Sequence, residues 1–258
     1  MNEFSSRMDS GAGAGGRLPL GLIDPEALVH LRADFTRFML DYQFGIEEMK
    51  TKIEILRLEF LHLHEHNPIE HLNARLKSPE SIIAKVARKG LDPSFESMRE
   101  AITDIAGLRI TCSFVSDVYR VAEMLTEQDD VTILAVKDYI AQPKSNGYRS
   151  LHLLVQIPVF LSNKVASVTV ELQLRTVAMD FWASLEHKIH YKYDHELPAK
   201  VREELHNSAR TASELDTVME NLHKQVHDES RSEPRRDGSL VPPDSVLELL
   251  RQIRTTRD

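Results

Sequence analysis

The sequence predicts an α+β fold: a mixed, mostly antiparallel β-sheet with flanking helices, a long N-terminal helix and further C-terminal helices. Three observations predict it. Segments 108–113, 148–155 and 168–175 alternate apolar and polar residues with the period of two that a half-buried strand requires. Helical stretches, at 116–127 and 176–192 among others, are interleaved with these strands. Before them, apolar residues recur at spacings of three and four from Leu28 through Leu31, Phe35, Phe38, Tyr42, Ile46, Met49 and Ile53 to Leu56.

Taken in order, residues 1–20 are rich in Gly and Ser, lack periodicity and read as a disordered tail. Asp24 caps a helix from Pro25 to about His66, either continuous or two helices joined near Gly45. His62, His64, His66 and His71 follow as a polar helix end, without the ligand spacing of a closed metal site. Ser78-Pro79-Glu80 opens the next helix, which stops at Lys89-Gly90 because glycine supplies the C-cap. A short helix at 95–104 precedes strand 107–114, helix 116–127 and strand 131–138. A polar loop at 139–147 leads to strand 148–157, joined through 161–166 as a hairpin to strand 167–175. Helices at 176–192 and 198–227 follow. The domain therefore spans 21–227, and 228–258 reads as a charged, Pro-rich linker with a short helix at 244–255.

The chain has 258 residues, a net charge of −8 and one cysteine, Cys112, in an apolar run. A lone cysteine forms no internal disulfide and reads as a small buried hydrophobe. No apolar run approaches the roughly 18–20 residues that span a bilayer, and no signal-peptide core is present. A cytoplasmic location is expected, with no membrane partner. The acidic balance argues against a general nucleic-acid coat. Yet Arg75, Lys77, Lys85, Arg88 and Lys89 cluster within 75–89 against Glu80 alone, which suits a compact polyanion.

The strands show where such a polyanion would bind. One face of 168–175 is Val168, Val170, Leu172 and Leu174; the other is Thr169, Glu171, Gln173 and Arg175. Likewise Leu151, Leu153 and Val155 oppose Tyr148, Ser150 and His152, and Leu108, Ile110 and Cys112 oppose Arg109, Thr111 and Ser113. If the polar faces coincide, they form a groove. Asp104 and Glu171 would be its carboxylates, enough with substrate phosphates and water to hold Mg²⁺. Carboxylates facing Arg and Lys suit phosphoryl-type transfer. No glycine-rich phosphate loop is present, so side chains must hold the phosphates. Lys144 lies in a turn-rich loop, and Tyr148 at the strand mouth is placed to stack on a base. On these residues alone, another Mg²⁺-dependent nucleotidyltransferase or a catalytically silent nucleotide- or RNA-binding module also fits.

Segments RLKSPESIIAKVARKG (75–90), DIAGLRI (104–110), VKDYIAQPKSNGYRSLHLLV (136–155) and VELQLRTVAMDFWASLEHKIHYK (170–192) resemble, in order, the synthetase domain of the RelA/SpoT superfamily. The ending DFWASLEHKIHYK looks like its short, single-domain members. The resemblance implies a nucleotidyltransferase-like domain that moves pyrophosphate from ATP to the 3′-hydroxyl of GDP or GTP. It implies Asp104 and Glu171 as catalytic residues and Mg²⁺ ligands. Arg75 and Arg109 would hold the adenine, and Lys77, Lys85 and Arg88 the ATP phosphates. Tyr148 would stack on guanine, with Lys137, Lys144, Asn146 and His152 holding the acceptor and Gln173 and Arg175 supporting that side. A homo-oligomer is implied, a homotetramer favoured, assembled through helices 25–66 and 198–227. The alarmone product or a single-stranded RNA is the candidate regulator. His227-Asp228 matches two letters of the long members' hydrolase motif but lacks its partner histidines, so no hydrolase activity is expected.

Overall fold

A computed structural model describes residues 25–64, 66–192 and 197–229. The chain divides into residues 1–38 and 39–258. What is described of the first unit is the opening of helix α1 (Pro25–Leu63), where Leu28, Val29 and Leu31 are exposed. The second holds the rest of α1, then β1 (Ile69–Leu76), α2 (Pro79–Lys89), α3 (Phe95–Ala101), β2 (Ala106–Cys112) and α4 (Val115–Thr126). After these come β3 (Thr132–Asp138), β4 (Leu151–Phe160), β5 (Val165–Thr176), α5 (Val177–Lys192) and α6 (Ala199–Glu229).

The five strands form one sheet in the order β1-β2-β5-β4-β3. β2 and β5 run parallel; the other three pairings are antiparallel. This is the mixed, mostly antiparallel sheet expected. The alternating pattern decides which face is buried. Leu108, Ile110, Leu153, Val155, Val168, Val170, Leu172 and Leu174 are all buried, and α4 packs across β2, β4 and β5 with Val118, Val121 and Leu125. Cys112 is buried among them, and burial pushes its thiol far up from the ordinary range.

Several elements differ from expectation. The helix expected to reach His66 ends at Leu63; of the two readings left open at Gly45, α1 is the continuous one, unbroken there. Glycine is needed there for proximity rather than for a break, since a Cβ would lie 2.5 Å from Val168 Cγ1. His71, read as part of a polar helix end, lies instead in strand β1. It is an edge strand in which only Ile69 is buried, so it carries no alternating apolar signal. β4 begins at Leu151, not at 148. Ser150 is fully buried and donates to the Leu174 carbonyl at 3.1 Å, so it is not on the open polar face. α3 stops at Ala101. The expected caps of α2 are present: Ser78 Oγ accepts from the Ser81 amide, and Gly90 takes φ 62°. α6 runs to Glu229, two residues into the expected linker. The Asp24 cap, the 1–20 tail, the rest of the 228–258 segment and its expected helix lie outside the described residues.

The Gly45 contact gives a test with a definite sign. Helix propensity alone would favour Gly45→Ala by about 1 kcal/mol. Overpacking against the rigid Val168 costs about 1–3 kcal/mol, so chemical denaturation should show a net loss of stability. A stabilised variant would mean that the contact is not tight.

Candidate active site

Partner residues in neighbouring strands share a face. One register row therefore crosses all five strands: Asn73, Arg109, Gln173, His152 and Lys137. The next row runs Arg75, Gly107, Glu171 and Leu154. The polar faces thus coincide as expected, and β1 adds two residues to them. Gly107 lacks a side chain where one would stand between Arg75 and Glu171, leaving the floor open. A cleft of about 350 Å³ is lined by Arg75, Lys77, Asp104, Gly107, Arg109 and Glu171, with Asn73, Ala74, Leu108 and Gln173.

Asp104 sits just before β2, beside the end of β1, where the Lys77 amide donates to the Ile105 carbonyl at 2.8 Å. Its Oδ2 accepts from Lys77 Nζ at 2.9 Å and its Oδ1 from Lys85 Nζ at 2.7 Å. Burial raises its pKa, but the two ammonium groups outweigh that and hold it below the usual carboxylate value. One turn beyond Lys85, Arg88 is exposed and forms no ion pair among the described residues. Lys89 instead donates to the Ala101 carbonyl at 2.9 Å, tying α2 to the end of α3.

Glu171 is held from both sides. His152 Nδ1 faces its Oε1 at 3.4 Å, and Gln173 Nε2 donates to its Oε2 at 3.0 Å. Behind these, Arg175 donates to Gln173 Oε1 at 3.1 Å and to the Tyr148 hydroxyl at 2.6 Å. That hydroxyl lies 2.7 Å from His152 Nε2. With the His152 proton on Nδ1, the donors close into a ring: Arg175 to Tyr148 to His152 to Glu171, and Arg175 to Gln173 to Glu171. Burial raises the pKa of Glu171 and the Asp104 charge adds to that. The hydrogen bonds from His152 and Gln173 win, and the net shift is downward.

The 139–150 loop presents the rest. Tyr148 packs against the cluster of Trp182, Ala183 and Ala209 on α5 and α6. Lys144 Nζ stands 4.8 Å from its ring centroid and 4.6 Å from that of Tyr139. Asn146 accepts from the Tyr148 amide and donates to Glu186 at 3.1 Å. Lys137 is exposed beside His152. Gly147 is pressed onto α6 at φ 92°, with a Cβ position only 2.5 Å from the Ala209 Cβ.

Sequence reasoning missed Asp180, whose Oδ1 pairs with both Arg109 and Arg175. A carboxylate in a first helical turn is ordinarily read as complementing the helix dipole, so nothing marked it. It also missed Tyr139, which meets the His152 ring edge-on at 5.3 Å. Gly107, the second residue of β2, was a readable signal of open space or close approach.

Two ionised carboxylates in one cleft fit a divalent cation. Among the described residues no group of three or more His, Cys, Asp or Glu forms a metal cage. A Mg²⁺ ion here would take its remaining ligands from phosphates and water, its usual mode.

A sheet whose open face brings acidic and basic side chains together in one cleft suits a protein of the phosphoryl-transfer class. Residues 74–196 match the family described as the region found in RelA/SpoT proteins. The chain is 46% identical over 209 residues to GTP pyrophosphokinase YwaC of Bacillus subtilis, covering 81% of this chain and 100% of that protein. It is 41% identical over 192 residues to GTP pyrophosphokinase YjbM of the same organism, covering 74% and 90%. The crystal structure of small alarmone synthetase 1 from Bacillus subtilis bound to its product pppGpp superposes with a TM-score of 0.69. It is 39% identical, over 75% of this chain and 98% of that one. Small alarmone synthetase 2 gives 0.68 at 47% identity, over 74% and 99%. The chain belongs to the RelA/SpoT family.

Two tests follow from this geometry. The folded-state pKa values of Asp104 and Glu171 are depressed, so the stability they contribute is fully present above their ordinary values of 3.8 and 4.5. It is lost as pH falls through the depressed values. The stability gap between wild type and Glu171→Gln should therefore shrink below about pH 4.5 in denaturation across pH. A gap constant with pH would remove the claim. Gly147→Ala should destabilise through both strain and clash. Measured against Ala209→Gly alone, which has its own helix cost of about 1 kcal/mol, adding Gly147→Ala should then cost only the backbone strain, about 1 kcal/mol or more; no further loss would show that the positive φ is not required.

Proposed function

We propose that the chain transfers pyrophosphate from ATP to the 3′-hydroxyl of GDP or GTP, giving ppGpp or pppGpp and AMP. The observation that carries this reading is the pairing of two ionised carboxylates, Asp104 and Glu171, with a cluster of cations along one sheet face. The names of the relatives and the product-bound neighbour support it.

In the proposed reaction the 3′-oxygen attacks the β-phosphorus of ATP in line. The new O3′–Pβ bond forms as the bond from Pβ to the α,β-bridging oxygen breaks, and AMP leaves with that oxygen. Lys77, Lys85 and Arg88 are assigned to the ATP phosphates, and Arg75 and Arg109 to the adenine. Tyr148 is assigned to guanine, with Lys137, Lys144, Asn146 and His152 on the acceptor. Gln173 and Arg175 support them through the ring. Glu171 orients the 3′-hydroxyl and takes its proton. A carboxylate held below its ordinary pKa is a weak base, so the proton moves late, once the forming bond has made the hydroxyl acidic. Mg²⁺, held by Asp104 and Glu171, would neutralise phosphate charge.

No described helix is long and apolar enough to cross a membrane, and a cytoplasmic location is proposed. The reading assigns no hydrolase activity. Exposed Leu40, Phe44, Ile55, Leu58 and Leu61 on α1 and Phe181, Leu215, Val218, Met219 and Leu222 on α5 and α6 support a homo-oligomer, a homotetramer favoured. The alarmone product or a single-stranded RNA is the proposed regulator.

Incubation with Mg²⁺, β- and γ-labelled ATP and each guanine nucleotide tests the reaction. The label should move to the acceptor with AMP released; released pyrophosphate would mean nucleotidyl transfer instead. Glu171→Gln should lower kcat by about 10²–10⁴-fold, the range for a positioned acid–base group, and Asp104→Asn by a similar order. Tyr148→Ala should cost about 1–3 kcal/mol of acceptor binding, the worth of one stacked base. Near-wild-type rates in either carboxylate variant would refute the assignment.

A further inference from the structure

Asp180 has no part in the reaction as written, yet it joins the two halves of the site. It lies in the first turn of α5. One of its oxygens, Oδ1, accepts a hydrogen bond from Arg175 NH1 at 3.1 Å and forms an ion pair with Arg109 NH1, also at 3.1 Å. Two guanidinium groups on one oxygen repel each other and stay together only because the carboxylate lies between them. The Arg175 side chain is 5% exposed, so water cannot balance its charge. Arg109 lines the donor cleft and is 38% exposed. The Nε atoms of both arginines are buried without a hydrogen-bond partner. Their terminal nitrogens therefore set the planes of the two groups, and for Arg109 that anchor is Asp180.

We propose that Asp180 is a positioning residue that couples the donor and acceptor subsites, so that a nucleotide in either one tightens binding in the other. The proposal rests on the assignment of Arg109 to ATP and of the Tyr148 side to the guanine nucleotide. A base lying against Arg109 orders its guanidinium plane and, through the shared oxygen, Asp180 and Arg175. Arg175 in turn holds Tyr148 and Gln173, the backing of both arms on Glu171. Ordering this chain costs entropy once. The first nucleotide bears that cost and the second does not, which is positive coupling without a change of fold. Linkage requires the effect to be the same in both directions.

Titration calorimetry tests it. GDP is titrated into the protein with Mg²⁺, with and without saturating α,β-methylene ATP, whose methylene bridge cannot leave. Wild type should bind GDP at least about five-fold tighter with the analogue present, and the analogue should gain by the same factor from GDP. In Asp180→Asn and Asp180→Ala the ratio should fall to within about two-fold of one, with each nucleotide alone still binding. Arg109→Gln, which cuts the same link at its other end, should also lose the ratio. Asp180→Glu should restore part of it. If Asp180→Ala is unfolded by circular dichroism, the near-isosteric Asp180→Asn carries the test.

A wild-type ratio of one overturns the proposal. So does a ratio that survives in Asp180→Asn while both affinities weaken, since that is what a purely structural role would give. Failure of wild type to bind either nucleotide alone would bring down the nucleotide assignment itself, a result distinct from loss of coupling.

Discussion

Arg175 carries a full positive charge on a side chain that is almost wholly removed from water. A buried cation is tolerated only where hydrogen-bond acceptors surround it. Arg175 finds three, Asp180, Tyr148 and Gln173, drawn from helix α5, the 139–150 loop and its own strand. Each of these must be in place for the charge to be satisfied. The desolvation that makes Arg175 costly therefore also makes the site specific in shape. Removing any one acceptor leaves an under-satisfied guanidinium in the centre of the molecule.

From that requirement the two carboxylates of the proposed site take their character. Glu171 is held through two arms that both begin at Arg175, so its orientation is biased before a substrate arrives and the first nucleotide completes the order, which is the direction of electrostatic preorganisation. Asp104 is held differently. Its partners are two flexible lysines, which release their grip readily when phosphates compete for them. The two carboxylates differ less in their net pKa direction than in the stiffness of what surrounds them. On the proposed assignments, a stiff acid–base group beside an exchangeable phosphate clamp is a sensible division for a transfer between two bound nucleotides.

The sheet was legible because strong alternation marks strands with one buried face, as at 108–113 and 168–175. Alternation alone is enough to align their polar faces, and Asp104, Arg109, Glu171, Gln173 and His152 do share one side. Edge strand β1 was not legible, because a strand that buries only Ile69 has no pattern to show. Asp180 was hidden for another reason. Its partner Arg109 is 71 residues away in the chain, and no local pattern distinguishes a carboxylate bridging two arginines from one greeting a helix dipole. Gly45 left two readings open, a continuous helix or a break, because nothing local shows that a neighbour such as Val168 demands the space.

The one parallel pairing among the described residues has a consequence for how the molecule assembles. β2 and β5 lie side by side at the centre of the sheet, yet some sixty residues separate them in the chain. Asp104 and Arg109 come with one of them, Glu171 and Gln173 with the other. Parallel neighbours require long crossovers, and long-range pairings form slowly because loop closure precedes the reward. No local fragment of this chain contains both carboxylates. During synthesis the nascent polypeptide therefore cannot react until β5 has emerged and inserted between β2 and β4. On the proposed assignment, catalytic competence is in this sense a report that the central long-range pairing has formed.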